Sequence, residues 1–89
     1  MVVSISRKKQ LRSRARLMEP LVRIGKNGLT DNAIIQVKRL VAKRKLVKVK
    51  FLKSFLETND RRAAARKLAG ATGSEIIDQV GFVVVLYKK

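Results

Sequence analysis

The sequence predicts an α/β fold, a compact domain in which a mixed four-stranded sheet is packed with helices. Length is the first observation, since 89 residues suffice for one modest core and hence for a single domain spanning residues 1–89. Apolar spacing is the second, because it switches between helical and strand periods in the order α-β-α-β-α-β-β. Strands that alternate with helices favour one sheet, and we expect the helices after the first two strands to share a face.

The first predicted element is a basic helix over residues 6–18, with Ser6 as its N-cap. Leu11, Ala15 and Met18 recur at helical spacing and form a narrow apolar stripe. Most of the other side chains are lysine or arginine, and like charges one turn apart repel each other. We therefore expect this helix to be marginally stable until it docks or binds an anion.

A short strand and a second helix follow. Pro20 ends the first helix, and LVRIG, residues 21–25, has the apolar pattern of a short strand. Thr30 is a good N-cap, and the helix that it starts is predicted to run to about Lys45. The apolar stripe of this helix comprises Ala33 or Ile34, Val37, Leu40 and Val41.

LVKVKFL, residues 46–52, is predicted to be a half-buried strand because its apolar residues alternate with lysines. The apolar side is formed by Val47, Val49 and Phe51. Residues 53–58 are predicted to be a loop, in which Phe55 and Leu56 either pack on the core or form an exposed apolar contact. A third helix is then predicted to start at residue 59 or 60.

The chain closes with a predicted β-hairpin. Gly73 is the expected stop of the third helix. EIIDQV and FVVVLYK are two apolar runs separated by Gly81, which is the pattern of two strands joined by a tight turn.

Charge indicates the kind of partner. Lysine and arginine number 22 against 6 acidic residues, a net charge of +16, and most of the excess lies in residues 1–53. Such an excess destabilises a compact domain through self-repulsion unless a polyanion screens it. A nucleic acid is therefore the predicted partner.

Composition also argues against several other functions. The chain has no cysteine and no histidine, which excludes disulfides and cysteine–zinc sites and removes the commonest general base. Its acidic residues are scattered without metal-ligand spacing, so we predict neither an enzyme nor a cofactor. We find no signal peptide and no apolar run long enough to span a bilayer. We therefore expect a cytoplasmic monomer that does not enter membranes.

A glycine-rich junction, RIGKNGLTDNAI, raises a more specific possibility. Gly25 and Gly28 can take positive φ angles and let the backbone approach a ligand, and Asn27 tolerates left-handed geometry. Amides in such a turn, together with those at a helix start, form an anion site, and Lys26 adds a positive charge. G-x-x-G alone is a common turn, but basic elements on both sides favour a clamp on a nucleic-acid backbone.

Segments spread along the chain resemble one family. They are LRSRARLMEPLVRIGKNGLTDN, LVKVKF, a helix ending in ATG, and VVLYKK. Their order and spacing resemble the CRM domain, the YhbY-like family named for chloroplast RNA splicing and ribosome maturation, over roughly residues 6–89. The resemblance implies an RNA-binding domain whose bacterial members are associated with precursors of the large ribosomal subunit. The positions that carry over are those of the loop, residues 25–28, whereas residues 53–58 depart from short bacterial members.

We therefore predict a clamp on the backbone of structured RNA, without base-specific contacts. The predicted contacts comprise Gly25, Lys26, Asn27 and Gly28 in the loop, Lys8, Arg12 and Arg16 on the first helix, and Lys38, Arg39, Lys43 and Lys45 on the second. All of them are expected to share one positive field. A ribosomal or pre-ribosomal RNA is the expected partner, and a partner protein that supplies specificity is left open. A structural ribosomal protein, a DNA-binding module and a membrane-surface binder are the alternatives.

Overall fold

A computed structural model describes residues 3–89; Met1 and Val2 of the predicted domain lie outside them. The elements are α1 Ile5–Arg16, β1 Val22–Ile24, α2 Asp31–Arg44, β2 Leu46–Phe51, α3 Lys53–Leu56, α4 Arg61–Thr72, β3 Glu75–Val80 and β4 Val83–Tyr87. The predicted α/β class and the predicted order are confirmed, with one extra helix, α3.

The strands form one sheet in the order β1-β2-β4-β3, with β1 parallel to β2 and the other pairs antiparallel. The predicted mixed four-stranded sheet is thus confirmed. Parallel strands end at the same edge, so the carboxyl ends of β1 and β2 lie together. Gly81, at a φ of 57°, makes the β3–β4 turn at this edge too. We call this edge the loop end of the sheet.

The front face of the sheet is covered by α2 and α4, and it holds the larger core. Val37 and Val41 from α2 and Leu68 from α4 pack there on Val49 and Phe51 of β2. All five side chains are completely buried. Val49 and Phe51 point to the same side because alternation along β2 sends every second residue there. The expectation that the helices after the first two strands share a face is confirmed.

Within residues 3–89, α1 is the helix that covers the back face, and Val3, just before it, is buried in the same cluster. Leu11 and Ala15 are buried against Leu46, Ile77 and Val85, as the predicted apolar stripe requires. Met18 follows the helix and packs on the same cluster. One short helix cannot cover four strands, so part of the back face stays open.

Helix α1 begins and ends about two residues earlier than the sequence predicts. Its N-cap is Ser4, whose hydroxyl accepts a hydrogen bond from Arg7 N at 3.2 Å, whereas Ser6 lies inside the first turn. Two serines separated by one residue are both good caps, and spacing alone did not choose between them. The helix stops at Arg16 because Leu17 N bonds back to Arg14 O, a shorter, tighter turn.

The segment after β2 is not simply the predicted loop. Lys53–Leu56 forms one helical turn, and Phe55 is buried with its ring centroid 5.2 Å from that of Phe51. Leu56 is half-buried against the same front core. The structure therefore places both apolar residues on the core, which sequence patterning left undecided. This short segment lacks local helix-forming signals, and the packing of Phe55 on Phe51 stabilises its helical turn instead.

The boundaries of α4 agree with the prediction. Asp60 is the N-cap, and its carboxylate accepts from Ala63 N at 2.9 Å. Gly73 ends the helix in the left-handed conformation with a φ of 66°. A left-handed residue at this point favours glycine, and this is the stop signal that the sequence contains.

Candidate nucleic-acid interface

The glycine-rich junction is a tight turn between β1 and α2. Gly28 N donates to Gly25 O at 2.9 Å, which closes a turn with Lys26 and Asn27 at its exposed tip. Gly28 takes a positive φ of 75°. Within residues 3–89 neither Gly25 nor Asn27 does so, and the expectation that both glycines supply left-handed geometry is wrong for Gly25.

A close approach explains the glycine at position 25 instead. A Cβ atom there would lie 3.2 Å from Leu52 Cδ1 and 3.9 Å from Ser54 Oγ, so the segment after β2 packs directly against the turn. At position 28 a Cβ would lie 3.7 Å from Phe55 Cε1. The buried pair Phe51 and Phe55 therefore supports the turn from below.

The tip of the turn presents free backbone donors. The amides of Lys26, Asn27 and Leu29 have no hydrogen-bond partner in the described part of the chain, whereas the Gly28 amide is used within the turn. Uncapped amides next to a helix start favour an anion. The α2 start is partly satisfied, since Thr30 Oγ1 accepts from Ala33 N at 3.1 Å.

Two residues beside the turn were missed by sequence reasoning. Lys53 is exposed at the start of α3, and Ser54 lies next to Gly25. Both follow β2 directly, and β2 ends beside β1 because the two strands are parallel. A strand-helix-strand pattern implies such parallel pairing, so residues just after the second strand could have been assigned to this edge.

The α2 cations extend away from the loop end along the front. Lys38, Arg39 and Lys43 are exposed on this helix, and Lys45 follows its last residue with a φ of 71°. Fourteen residues of α-helix separate Lys45 from the turn, a length of roughly 20 Å at about 1.5 Å per residue. Lys43 and Lys45 thus lie toward the opposite end of the sheet.

The α1 cations lie behind the sheet. Lys8, Arg12 and Arg16 follow one another at four-residue spacing, as predicted, on a helix that packs on the back face. Arg12 Nε donates to Ile77 O at 3.4 Å. The Arg12 and Lys8 side chains are half-buried, and Arg16 is exposed. The α1 and α2 sets therefore lie on opposite faces of the sheet. The expectation that all of them share one positive field is wrong, because α2 and α4 occupy the front and α1 packs behind.

The fold agrees with that of a known family. A model of the CRS1/YhbY (CRM) domain matches residues 4–88, and the chain belongs to that family. The resemblance predicted from the sequence is therefore confirmed.

Individual relatives agree with this assignment. A probable RNA-binding protein of Methanocaldococcus jannaschii is 38% identical over 91% of this chain, which spans 60% of that protein's length. The probable RNA-binding protein YqeI of Bacillus subtilis is 34% identical over 92% of this chain and 83% of its own length. The solution structure of a Staphylococcus aureus protein superposes with a TM-score of 0.81 at 32% identity, covering 99% of this chain and 90% of that one.

The names of these relatives describe RNA binding and no catalytic activity, which agrees with the prediction that this domain is not an enzyme. In residues 3–89 no group of acidic side chains is arranged to hold a metal ion. No helix in that range is both long and apolar enough to cross a bilayer.

Proposed function

We propose that this domain binds the sugar–phosphate backbone of structured RNA at the loop end of its sheet. The observation that carries the proposal is the exposed turn at residues 25–28, whose tip amides are unpartnered in the described chain and whose flanks are basic. Names of relatives that describe RNA binding support the same partner.

The turn and its neighbours would make the first contact. The amides of Lys26 and Asn27 would donate to one phosphate, while the ammonium groups of Lys26 and Lys53 neutralise it and the next. Both helices add charge at greater distance, with the α1 cations behind the sheet and the α2 cations in front of it. A structured RNA that contacts both sets must therefore pass around the loop end, with the turn at the centre of the contact.

The cellular role that fits best is assembly of the large ribosomal subunit or a related step of RNA maturation, in the cytoplasm and as a monomer. Contact with the backbone carries no base code, so a role in choosing one RNA would need RNA shape or a partner protein. A structural ribosomal protein or a DNA-binding module is the alternative. Competition between a structured RNA and a DNA duplex of similar length separates the second of these from our proposal.

Substitution of Lys26 and Asn27 by aspartate tests the turn. We expect the dissociation constant for an RNA hairpin to rise at least tenfold, because two carboxylates then face the phosphates. Thermal stability should change little, since both side chains are exposed. For the unaltered protein, the plot of log affinity against log salt should have a slope of about −4 to −7, as expected if about six to eight phosphates are neutralised.

A matched control places the same change of charge elsewhere. Lys67→Asp with Ala63→Asp adds two carboxylates and removes one ammonium on the exposed side of α4. The control should lower affinity much less than the turn variant does. Equal losses for the two variants, or a nearly flat salt dependence, would show that net charge or some other surface is responsible and that the turn is not a clamp.

A further inference from the structure

The open part of the back face forms a groove beside α1. Its volume is about 440 Å³, within the range of roughly 300–1,000 Å³ that is usual for ligand-binding pockets. Valines of the hairpin form its floor, namely Val80, Val83 and Val85, and Ala15 of α1 forms one wall. The groove is therefore apolar at its base.

Three cations stand around this floor. Arg12, Arg16 and Lys48 line the groove, and two of them are held in place by backbone carbonyls. Lys48 Nζ donates to Met18 O at 3.0 Å, and Arg12 Nε donates to Ile77 O at 3.4 Å. Arg16, in the last turn of α1, is exposed. The rim can therefore bind an anion that rests above an apolar base.

Basic side chains on the back of the sheet connect the groove with the turn at residues 25–28. Lys50 lies two residues after Lys48 on the same side of β2, and its neighbour across the parallel pair is Arg23 of β1. Val22 and Ile24 belong to the front core, so Arg23 between them faces the back. Lys48, Lys50 and Arg23 thus continue the positive surface from the groove to the strand end where the turn begins.

One carboxylate lies in this basic groove because β3 is irregular. Ile76 pairs with Leu86 and Asp78 pairs with Val85, so the strand contains a bulge between them. Without the extra residue, strict alternation would send Asp78 to the front face. The bulge turns it to the back with Val85 instead, and bulges of this kind re-aim side chains at functional sites. Asp78 Oδ1 accepts from Gln79 N at 3.0 Å, which fixes the carboxylate's orientation.

This combination matches one unpaired nucleotide. Single-stranded segments of RNA are recognised by holding a splayed-out base against protein and bonding its Watson–Crick edge. The cations would hold the phosphate, the valines would contact the base, and a carboxylate can only accept hydrogen bonds. Guanine alone among the four bases offers two adjacent donors on that edge, its imino and amino groups. An acidic peptide fits less well, since Asp78 would repel it.

We propose that the groove between α1 and the hairpin binds an unpaired guanosine of the RNA, with Asp78 accepting from the base and with Arg16 and Lys48 holding its phosphate. The inference rests on the proposed function, because it assigns a second contact to the same RNA. It adds a base preference that the turn at residues 25–28 does not supply.

RNA hairpins whose uridine loops carry one central guanosine, adenosine or inosine test the assignment by fluorescence anisotropy. We expect the guanosine probe to bind about tenfold more tightly than the adenosine probe, the size of effect expected for a bidentate contact to a base edge. Inosine lacks the amino group and should fall between them. Asp78→Asn keeps the size of the side chain but replaces one acceptor by a donor, and it should remove the preference for guanosine.

Two further variants complete the experiment. Arg16→Glu should weaken binding of the guanosine probe more than Arg66→Glu, which makes the same change on the exposed side of α4. Amide spectra of each variant establish that it folds. Equal affinities for the three probes would overturn the inference, and this is the result that an acidic peptide site would give. A preference for guanosine that survives Asp78→Asn would overturn it too.

The aspartate variant of Lys26 and Asn27 separates this inference from the proposed function. It should weaken all three probes by the same factor and leave the ratio between guanosine and adenosine unchanged. If the guanosine and adenosine probes bind equally but the aspartate variant still weakens binding, only the groove assignment is wrong. If the preference for guanosine is present but the aspartate variant binds as tightly as the unaltered protein, only the clamp at residues 25–28 is wrong.

Discussion

The two faces of the sheet differ in how completely they are covered. Within residues 3–89, the front core contains fourteen buried residues and the back core six. Two helices pack on the front, whereas α1 alone packs on the back and leaves Lys48 and Lys50 only half-buried. The same strand, β2, contributes to both faces through its alternation. The difference shows that one face of this sheet is given over to the main core, while the other combines a smaller core with charged side chains.

The largest expected effect comes from exchanging the chemistry of the two faces. Val49→Lys would bury an unpaired ammonium in the front core and should lower the free energy of unfolding by more than about 4 kcal/mol. Lys50→Val, one residue later and facing the open back, should change it by no more than about 0.5 kcal/mol. Urea unfolding followed by circular dichroism measures both. Similar losses in the free energy of unfolding for the two variants would contradict the difference in burial between the two faces.

Truncating a buried leucine to alanine in each core should give smaller losses of stability and a more quantitative comparison of the two faces. Leu68 in the front core and Leu11 in the back core are both completely buried. Leu68→Ala should cost about 3–5 kcal/mol, and Leu11→Ala about 2–3 kcal/mol, because α1 has fewer neighbours and can shift to fill the space.

Hydrogen exchange of the backbone amides sharpens the same comparison. Amides of α1 should exchange through local opening, faster than those of α2 and β2, because α1 rests on the smaller core. Slower exchange in α1 than in β2, or a larger loss for Leu11→Ala than for Leu68→Ala, would show that the back face is the more stable one.

Substitutions in the turn at residues 25–28, between β1 and the front helix α2, should give the smallest effects. Gly28→Ala places a side chain at a φ of 75° and should cost about 1–2 kcal/mol. Gly25→Ala should cost less than about 1 kcal/mol, since the one close contact of its Cβ would be with the flexible end of Leu52, at 3.2 Å. Thermal unfolding of the two variants measures the difference. If Gly25→Ala were the more harmful change, close packing rather than backbone geometry would dominate this turn.

Part of the candidate site was accessible from the sequence and part was not. The turn at residues 25–28 follows from two glycines between a strand and a capped helix, and its tip is exposed as expected. Lys53 and Ser54 were missed because they reach the turn only through pairing of β1 with β2. The position of α1 behind the sheet was not predictable either. A helix with one narrow apolar stripe fits either face, and the choice depends on the other helices occupying the front.

The sequence by itself determined the order of the elements, the cap at Thr30, the stop at Gly73, and the strong positive charge, and it narrowed the start of α4 to residue 59 or 60. These features depend on residues close together in the chain, where local hydrogen bonding and apolar spacing act directly. Only the tertiary structure decided which cations share a face, that Phe55 supports the turn, and that Asp78 enters the back groove. Each of these depends on contacts between distant segments, which register and packing select and local spacing does not encode.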